Sequence, residues 1–111
     1  MTRLSTCVAR ALGTALFGLA STGALAQGAI DEGQKLFTQA AVPACAVCHT
    51  LRHAGANGEV GPDLDELRPD ASRVEKAVRT GIGQMPAFTG LTDAQVKLLA
   101  NYVSTVAGAG R

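Results

Sequence analysis

Cys45-Ala46-Val47-Cys48-His49 is the stretch on which the rest of the chain turns. Two thiols three positions apart sit roughly one helical turn from each other, so both can add to the vinyl groups of one porphyrin as thioethers. The residue that follows brings an imidazole under the ring plane, where its nitrogen can reach the iron. One turn of chain thus offers three attachments to a single haem c. A Cys-x-x-Cys pair has two other uses. A dithiol redox enzyme wants the pair at the start of a helix after a strand, with one lowered thiol pKa, and no such strand is apparent upstream. A structural zinc site needs four ligands, and past residue 26 the chain offers only Cys45, Cys48, His49 and His53, crowded close together in sequence.

Toward the N-terminus, residues 1–26 read as a secretory signal. Arg3 and Arg10 give a positive start, Ala11 to Leu25 is mostly apolar, and Ala24-Leu25-Ala26 fits a small-x-small cleavage site before Gln27. A membrane anchor would need roughly 20 uninterrupted apolar residues, and Gly13, Gly18, Ser21 and Gly23 break this stretch. The expected organisation is therefore a signal over 1–26 and one domain over 27–111, exported to the periplasm. The chain has 10 basic and 9 acidic residues, and Arg3 and Arg10 leave with the signal, so the mature domain is slightly acidic. That excludes a nucleic-acid partner. Cys7 leaves as well, so no cysteine remains for a disulfide framework. A domain this short has a thin core; a buried, covalently held porphyrin would staple it, and the haem-free chain is expected to fold poorly.

Downstream and upstream of the motif, the pattern predicts short helices. Ile30 to Gln39 carries Asp31 as N-cap with Gln34 three residues on, and places Gly33, Leu36, Phe37 and Ala40 on one face. Pro43 ends it. From His53 to Arg68 no period is sustained, and Gly55, Gly58, Gly61 and Pro62 mark a loop. Gly61-Pro62 is either a plain turn or the source of a carbonyl that holds the second ring nitrogen of His49. Ser72-Arg73-Val74-Glu75 reads as a capping box opening a helix that stops at Gly81, and Thr92-Asp93-Ala94-Gln95 as a second one opening a helix to about Val106. The tail, Ala107 to Arg111, should fray.

Past residue 26, Met85 is the sole methionine, and it sits in a loop directly before Pro86 rather than on a helix stripe. A stiff backbone there can aim the side chain, and a thioether suits a haem iron as the sixth ligand opposite His49. Core filler is the plainer role for a methionine. His53 lies four residues after His49, so a continuing helix would put both imidazoles on one side of the ring, and a surface position is expected.

The order of these features resembles a class I cytochrome c of the small bacterial periplasmic type. Carrying the likeness are the first helix with Gly33 and Phe37, the Cys45–His49 motif, Gly61-Pro62-Asp63-Leu64, the Met85-Pro86 loop and a last helix with Tyr102. The resemblance implies an all-α fold of about four short helices around one haem, the first and last helices crossing so that Gly33 and Phe37 meet Leu99, Tyr102 and Val103. It implies that the Pro62 carbonyl holds His49. The wording Gly83-Gln84-Met85-Pro86-Ala87-Phe88 with Leu91-Thr92-Asp93 is similar, too, to the small haem subunits that take electrons from periplasmic sulfite dehydrogenases. A departure is the absence of Trp.

The expected function is one-electron transfer with no catalysis of its own, the iron held by His49 and Met85. A haem enzyme or gas sensor would need an open distal position, and a dedicated subunit of a dehydrogenase complex would use the same redox chemistry. Expected partners are redox proteins, a periplasmic dehydrogenase as donor and an oxidase or another cytochrome as acceptor, the chain being a monomer or half of a heterodimer. Residues 40–51 and 80–92 contain no Asp, Glu, Lys or Arg. They read either as an uncharged docking patch or as the lining of the haem pocket.

Overall fold

The computed structural model describes Gly13 and residues 22–109. Most of the expected signal, residues 1–21 apart from Gly13, lies outside the described residues, as do Gly110 and Arg111. Five α-helices carry the described chain: α1 (Thr22–Lys35), α2 (Cys45–Cys48), α3 (Leu64–Leu67), α4 (Ala71–Thr80) and α5 (Asp93–Val106). Among these residues no helix is long and apolar enough to cross a membrane.

The first helix begins earlier than its sequence pattern suggests. Asp31 does not cap it; Ala24, Leu25, Ala26, Gln27 and Ala29 favour helix and carry it back to Thr22 despite Gly23 and Gly28. Inside a helix the Asp31 carboxylate turns to a neighbour one turn back, accepting from Gln27 Nε2 at 2.9 Å. After Lys35 the helix widens into a π-helical turn, Leu36–Ala40, closed by Ala41 N–H donating to Leu36 O at 3.2 Å. This turn buries Leu36 and Phe37 and ends ahead of Pro43.

The first and last helices contact each other. Gly33 makes the close approach: a methyl group there would overlap the Cβ and ring of Tyr102. Phe37 packs on the same tyrosine, ring centroids 6.3 Å apart. Val96, Leu99, Tyr102, Val103 and Val106 of α5 are all buried and form the centre of the core. Thr92 caps this helix as expected, its Oγ1 accepting from Gln95 N–H at 3.2 Å while Gln95 Oε1 accepts from Thr92 N–H at 2.9 Å. Helix α4 packs along α5, and Arg79 bridges them at the surface, donating to Glu75 at 3.0 Å and Asp93 at 2.7 Å. Such an exposed pair adds little stability.

Three further expectations are corrected. Asp70, not Ser72, caps α4: its carboxylate accepts from Arg73 N–H at 2.7 Å, and a charged cap two residues earlier also complements the helix dipole. The stretch from His53 to Arg68 is more structured than a loop. Strands β1 (Thr50–Leu51) and β2 (Ala56–Asn57) pair antiparallel, Thr50 with Asn57 and Leu51 with Ala56, around a tight turn at Arg52–Ala54. Downstream, Asp63 caps α3 through Asp65 N–H and Glu66 N–H. Elements this short carry no hydrophobic period, which is why the sequence shows only their glycines.

The tail is the third correction. Asp65 is buried at 1 % exposure, and its two carboxylate oxygens accept from Arg52 N–H at 2.7 Å and Gly108 N–H at 2.9 Å. One side chain therefore ties the hairpin turn, α3 and the residues after α5 together. Ala107 to Ala109 are held rather than frayed, with Ala109 N–H also donating to Val106 O at 3.0 Å.

Candidate haem site

Helix α2 is a single turn opened by Ala44, and His49 N–H closes it on Cys45 O at 2.9 Å. The hairpin that follows returns the chain alongside this turn. Gly58 N–H donates to His49 O at 3.2 Å and Gly61 N–H to Cys48 O at 2.7 Å, so residues 58–62 are laid against the motif by its own carbonyls. Pro62 consequently presents its carbonyl oxygen 2.8 Å from His49 Nδ1. Gly61 faces the ring: a Cβ on it would lie 2.5 Å from His49 Cε1 and 2.8 Å from Nδ1, a space only hydrogen can occupy.

The Met85 loop closes the site from the other side of the chain. Ile82 and Met85 exchange both backbone hydrogen bonds, at 3.0 Å and 2.9 Å, across a tight turn through Gly83. Phe88 N–H then donates to Val78 O at 2.8 Å, pinning the loop to α4. Met85 is half-buried and packs against the core, unlike the exposed residues that flank it.

These pieces enclose one cavity of about 530 Å³, within the range of roughly 300–1,000 Å³ usual for cofactor sites. Cys45, Cys48, His49, Pro62 and Met85 all line it, together with apolar side chains from the π-helical turn, α3, α4 and α5. Two thiols, one imidazole and one thioether facing a single slot of apolar walls is the donor set that a covalently attached, iron-bearing porphyrin takes. The residues fit that group. His53 is exposed and does not line the slot; its Nδ1 lies 3.0 Å from Tyr102 Oη, with the two rings edge to face at 5.5 Å.

The rival uses of Cys-x-x-Cys find no support in this arrangement. Burial pushes the Cys45 thiol up to about 11, whereas a redox-active or zinc-binding cysteine needs its thiolate favoured. Strands β1 and β2 both follow the motif and pair antiparallel, and among the described residues no strand precedes it as a βαβ unit would need. Among the described residues no group of three or more His, Cys, Asp or Glu is placed to hold a metal ion. What sequence reading missed is Asp65, whose burial had no signal in a local run of four acidic residues, and the hydrogen bond between His53 and Tyr102, which are 49 positions apart.

Known proteins resemble this chain. The family model described as cytochrome c oxidase, cbb3-type, subunit III matches residues 28–103. A cytochrome c6 from Cyanidioschyzon merolae is 35% identical over 89 residues, which is 73% of this chain and 78% of that protein. Among solved structures, the c-type cytochrome SorU from Sinorhizobium meliloti superposes with a TM-score of 0.72 at 54% identity, covering 74% of this chain and 94% of that one. The segment matched by the family model contains Cys45, Cys48, His49, Pro62 and Met85, and this chain accordingly belongs to the cytochrome c family as a monohaem electron carrier.

Proposed function

We propose that residues 27–111 form a periplasmic carrier of single electrons in which Cys45 and Cys48 hold haem c through thioethers and His49 and Met85 bind the iron from its two faces. The observation that carries this reading is that these four side chains line one cavity while His49 Nδ1 meets the Pro62 carbonyl. A proton on Nδ1 is then engaged, and the lone pair of Nε2 is left for a metal. When bound, haem supplies the Fe(III)/Fe(II) couple.

The chain's own residues set how that couple behaves. Met85, a soft ligand, favours Fe(II) and raises the potential. Phe37, Val78, Leu99 and Val103 keep water from the ring and lower the local polarity. The two-bond closure of the Ile82–Met85 turn and its tie to Val78 keep the thioether in place in both oxidation states, so little has to rearrange. With His49 and Met85 both holding the iron, a bound haem would offer no position to oxygen or a substrate. Exchanging Met85 for Ala should abolish the sulfur-to-iron charge-transfer band and lower the potential; a variant unchanged in both would refute the assignment of Met85. Acidified acetone should leave the haem on the wild-type protein, and its release would rule out the thioethers.

The likeness to SorU, with the resemblance to haem subunits of sulfite dehydrogenases, supports such a dehydrogenase as electron donor, and an oxidase or a second cytochrome as acceptor. Val47, 64 % exposed and outside the cavity lining, stands in the uncharged stretch 40–51. A small apolar contact there suits a transient complex of under roughly 1,200 Å². Co-purification at low concentration distinguishes a dedicated subunit from a free shuttle.

A further inference from the structure

The span from Gly58 to Pro62 carries the carbonyl that meets His49, yet it has little side-chain packing of its own. Glu59 and Val60 in its middle are exposed. Glycine stands at 58 as well as at 61 because the span lies so close to α2: a Cβ on Gly58 would come 2.5 Å from the Cys48 carbonyl carbon and 2.6 Å from His49 N. Glycine has the freest backbone of any residue, so the path of this span depends on its hydrogen bonds.

Three such bonds fasten it to the residues around the motif. Gly58 N–H, donating to His49 O at 3.2 Å, fixes the peptide between 57 and 58, and Gly61 N–H, donating to Cys48 O at 2.7 Å, fixes the one between 60 and 61. The third comes from a side chain. Thr50 Oγ1, part-buried, donates to Gly58 O at 2.9 Å and so fixes the peptide between 58 and 59, which neither backbone bond reaches. Thr50 directly follows His49, and β1 holds it opposite Asn57. Its β-branched side chain is stiff at χ1, which presents the hydroxyl in one direction.

We propose that Thr50 is a positioning residue for His49: by holding the Gly58 carbonyl, its hydroxyl keeps the Pro62 carbonyl on His49 Nδ1 and thereby sets the donor strength of the imidazole. This rests on the haem reading given above. An Nδ1 proton that is well accepted leaves the imidazole a better donor to a metal, which favours Fe(III) over Fe(II) and holds the potential down. Thr50 does not line the cavity, so its effect on the potential passes through Pro62 and His49.

The test uses the holoprotein, with haem content measured first as the pyridine adduct; a wild type without covalent haem overturns the haem reading and the role of Thr50 with it. Thr50→Val keeps the shape and the strand preference but removes the hydroxyl, whereas Thr50→Ser keeps the hydroxyl. The control, Thr105→Val, removes a bond of the same kind, Thr105 Oγ1 to Asn101 O at 2.6 Å, outside the cavity lining. Potentials are measured for all four proteins, together with deuterium exchange of the His49 Nδ1 proton followed by NMR of the reduced state. Thr50→Val should exchange that proton faster and have the higher potential; a roughly threefold loss of preference for Fe(III) reads as about 30 mV, tenfold being about 59 mV for one electron. Thr50→Ser and Thr105→Val should match the wild type. A haem-loaded Thr50→Val protein with the wild-type potential overturns the proposal even if it melts earlier, because a hydroxyl that only stabilises the strand would show in the melting alone. A raised potential with an unchanged Nδ1 proton also overturns it, since the effect would then not pass through His49. In case Thr50→Val does not mature, proton NMR of the wild type decides: a Thr50 hydroxyl proton protected from exchange with water supports the proposal, and one exchanging as a free hydroxyl does overturns it.

Discussion

The Nδ1 atom of His49 and the carbonyl oxygen of Pro62 lie 2.8 Å apart, thirteen residues from each other in sequence. Two backbone hydrogen bonds from Gly58 and Gly61 to the carbonyls of the motif make this contact geometric rather than incidental, because the chain carrying Pro62 cannot shift without breaking them.

Gly61→Ala tests that relationship. Its methyl would press on the His49 ring and turn it off the Pro62 carbonyl. An imidazole whose Nδ1 proton is less well accepted donates less to iron and favours Fe(III) less, so the potential should rise. A tenfold preferential weakening toward Fe(III) corresponds to about 60 mV. Potentiometry that finds the wild-type value would mean that the contact does not tune the ligand.

Gly33→Ala tests the helix crossing. Alanine in a helix interior is worth up to about 1 kcal/mol over glycine, but here the new methyl meets the Cβ of Tyr102, which α5 holds in place. Overpacking of that kind costs about 1–3 kcal/mol, so the collision should win and the denaturation midpoint of the holoprotein should fall. A stabilised variant would show that the two helices can move apart without loss.

The meeting of Gly33 with Tyr102 is implied only by the family resemblance, and Gly61-Pro62 leaves a plain turn open, but other features are legible because their chemistry is local or periodic. The motif announces itself in five residues, the N-cap pair Thr92 and Gln95 in four, and the buried face of α5 recurs with the helical period. The start of α1 is not legible because a capping pattern at Asp31 lies inside a run that stays helical anyway. Asp70 rather than Ser72 caps α4, because two cap-forming residues two positions apart compete and only the backbone geometry decides between them. Asp65 could not be found at all. Its partners, Arg52 and Gly108, are 13 and 43 residues distant, and nothing in the local sequence distinguishes it from the exposed Glu66 beside it.

Asp65→Asn should therefore be more harmful than its conservative chemistry suggests. The carboxylate accepts from two backbone N–H groups with its two oxygens, and an amide offers one oxygen and turns a donor toward the other N–H. Losing a hydrogen bond to a charged group and leaving a buried donor unmet costs about 1–3 kcal/mol. The holoprotein should lose that much in urea, with amide exchange at Gly108 or Arg52 accelerated. Unchanged stability would show that the tail is held by other contacts.

Tyr102 predicts an alkaline limit. Burial, and then the charge of Asp65, push its hydroxyl up to about 12, against about 10 in an unfolded chain. The neutral form is the one the fold prefers, so this contribution is intact below about pH 10 and is lost as pH rises toward about 12, at roughly 1.4 kcal/mol per pH unit. Tyr102→Phe, although it gives up the hydrogen bond with His53, should flatten that part of the stability profile. Parallel alkaline profiles for the two proteins would contradict this cause.

The visible spectrum of the reduced protein, recorded before and after carbon monoxide is added, tests the haem reading most directly. If Cys45 and Cys48 form thioethers and His49 and Met85 both bind the iron, the spectrum should be that of a low-spin c-type haem and should not change with the gas. A spectrum that shifts when carbon monoxide is added would mean an open iron, and would contradict the assignment of this chain as a carrier that binds no ligand of its own.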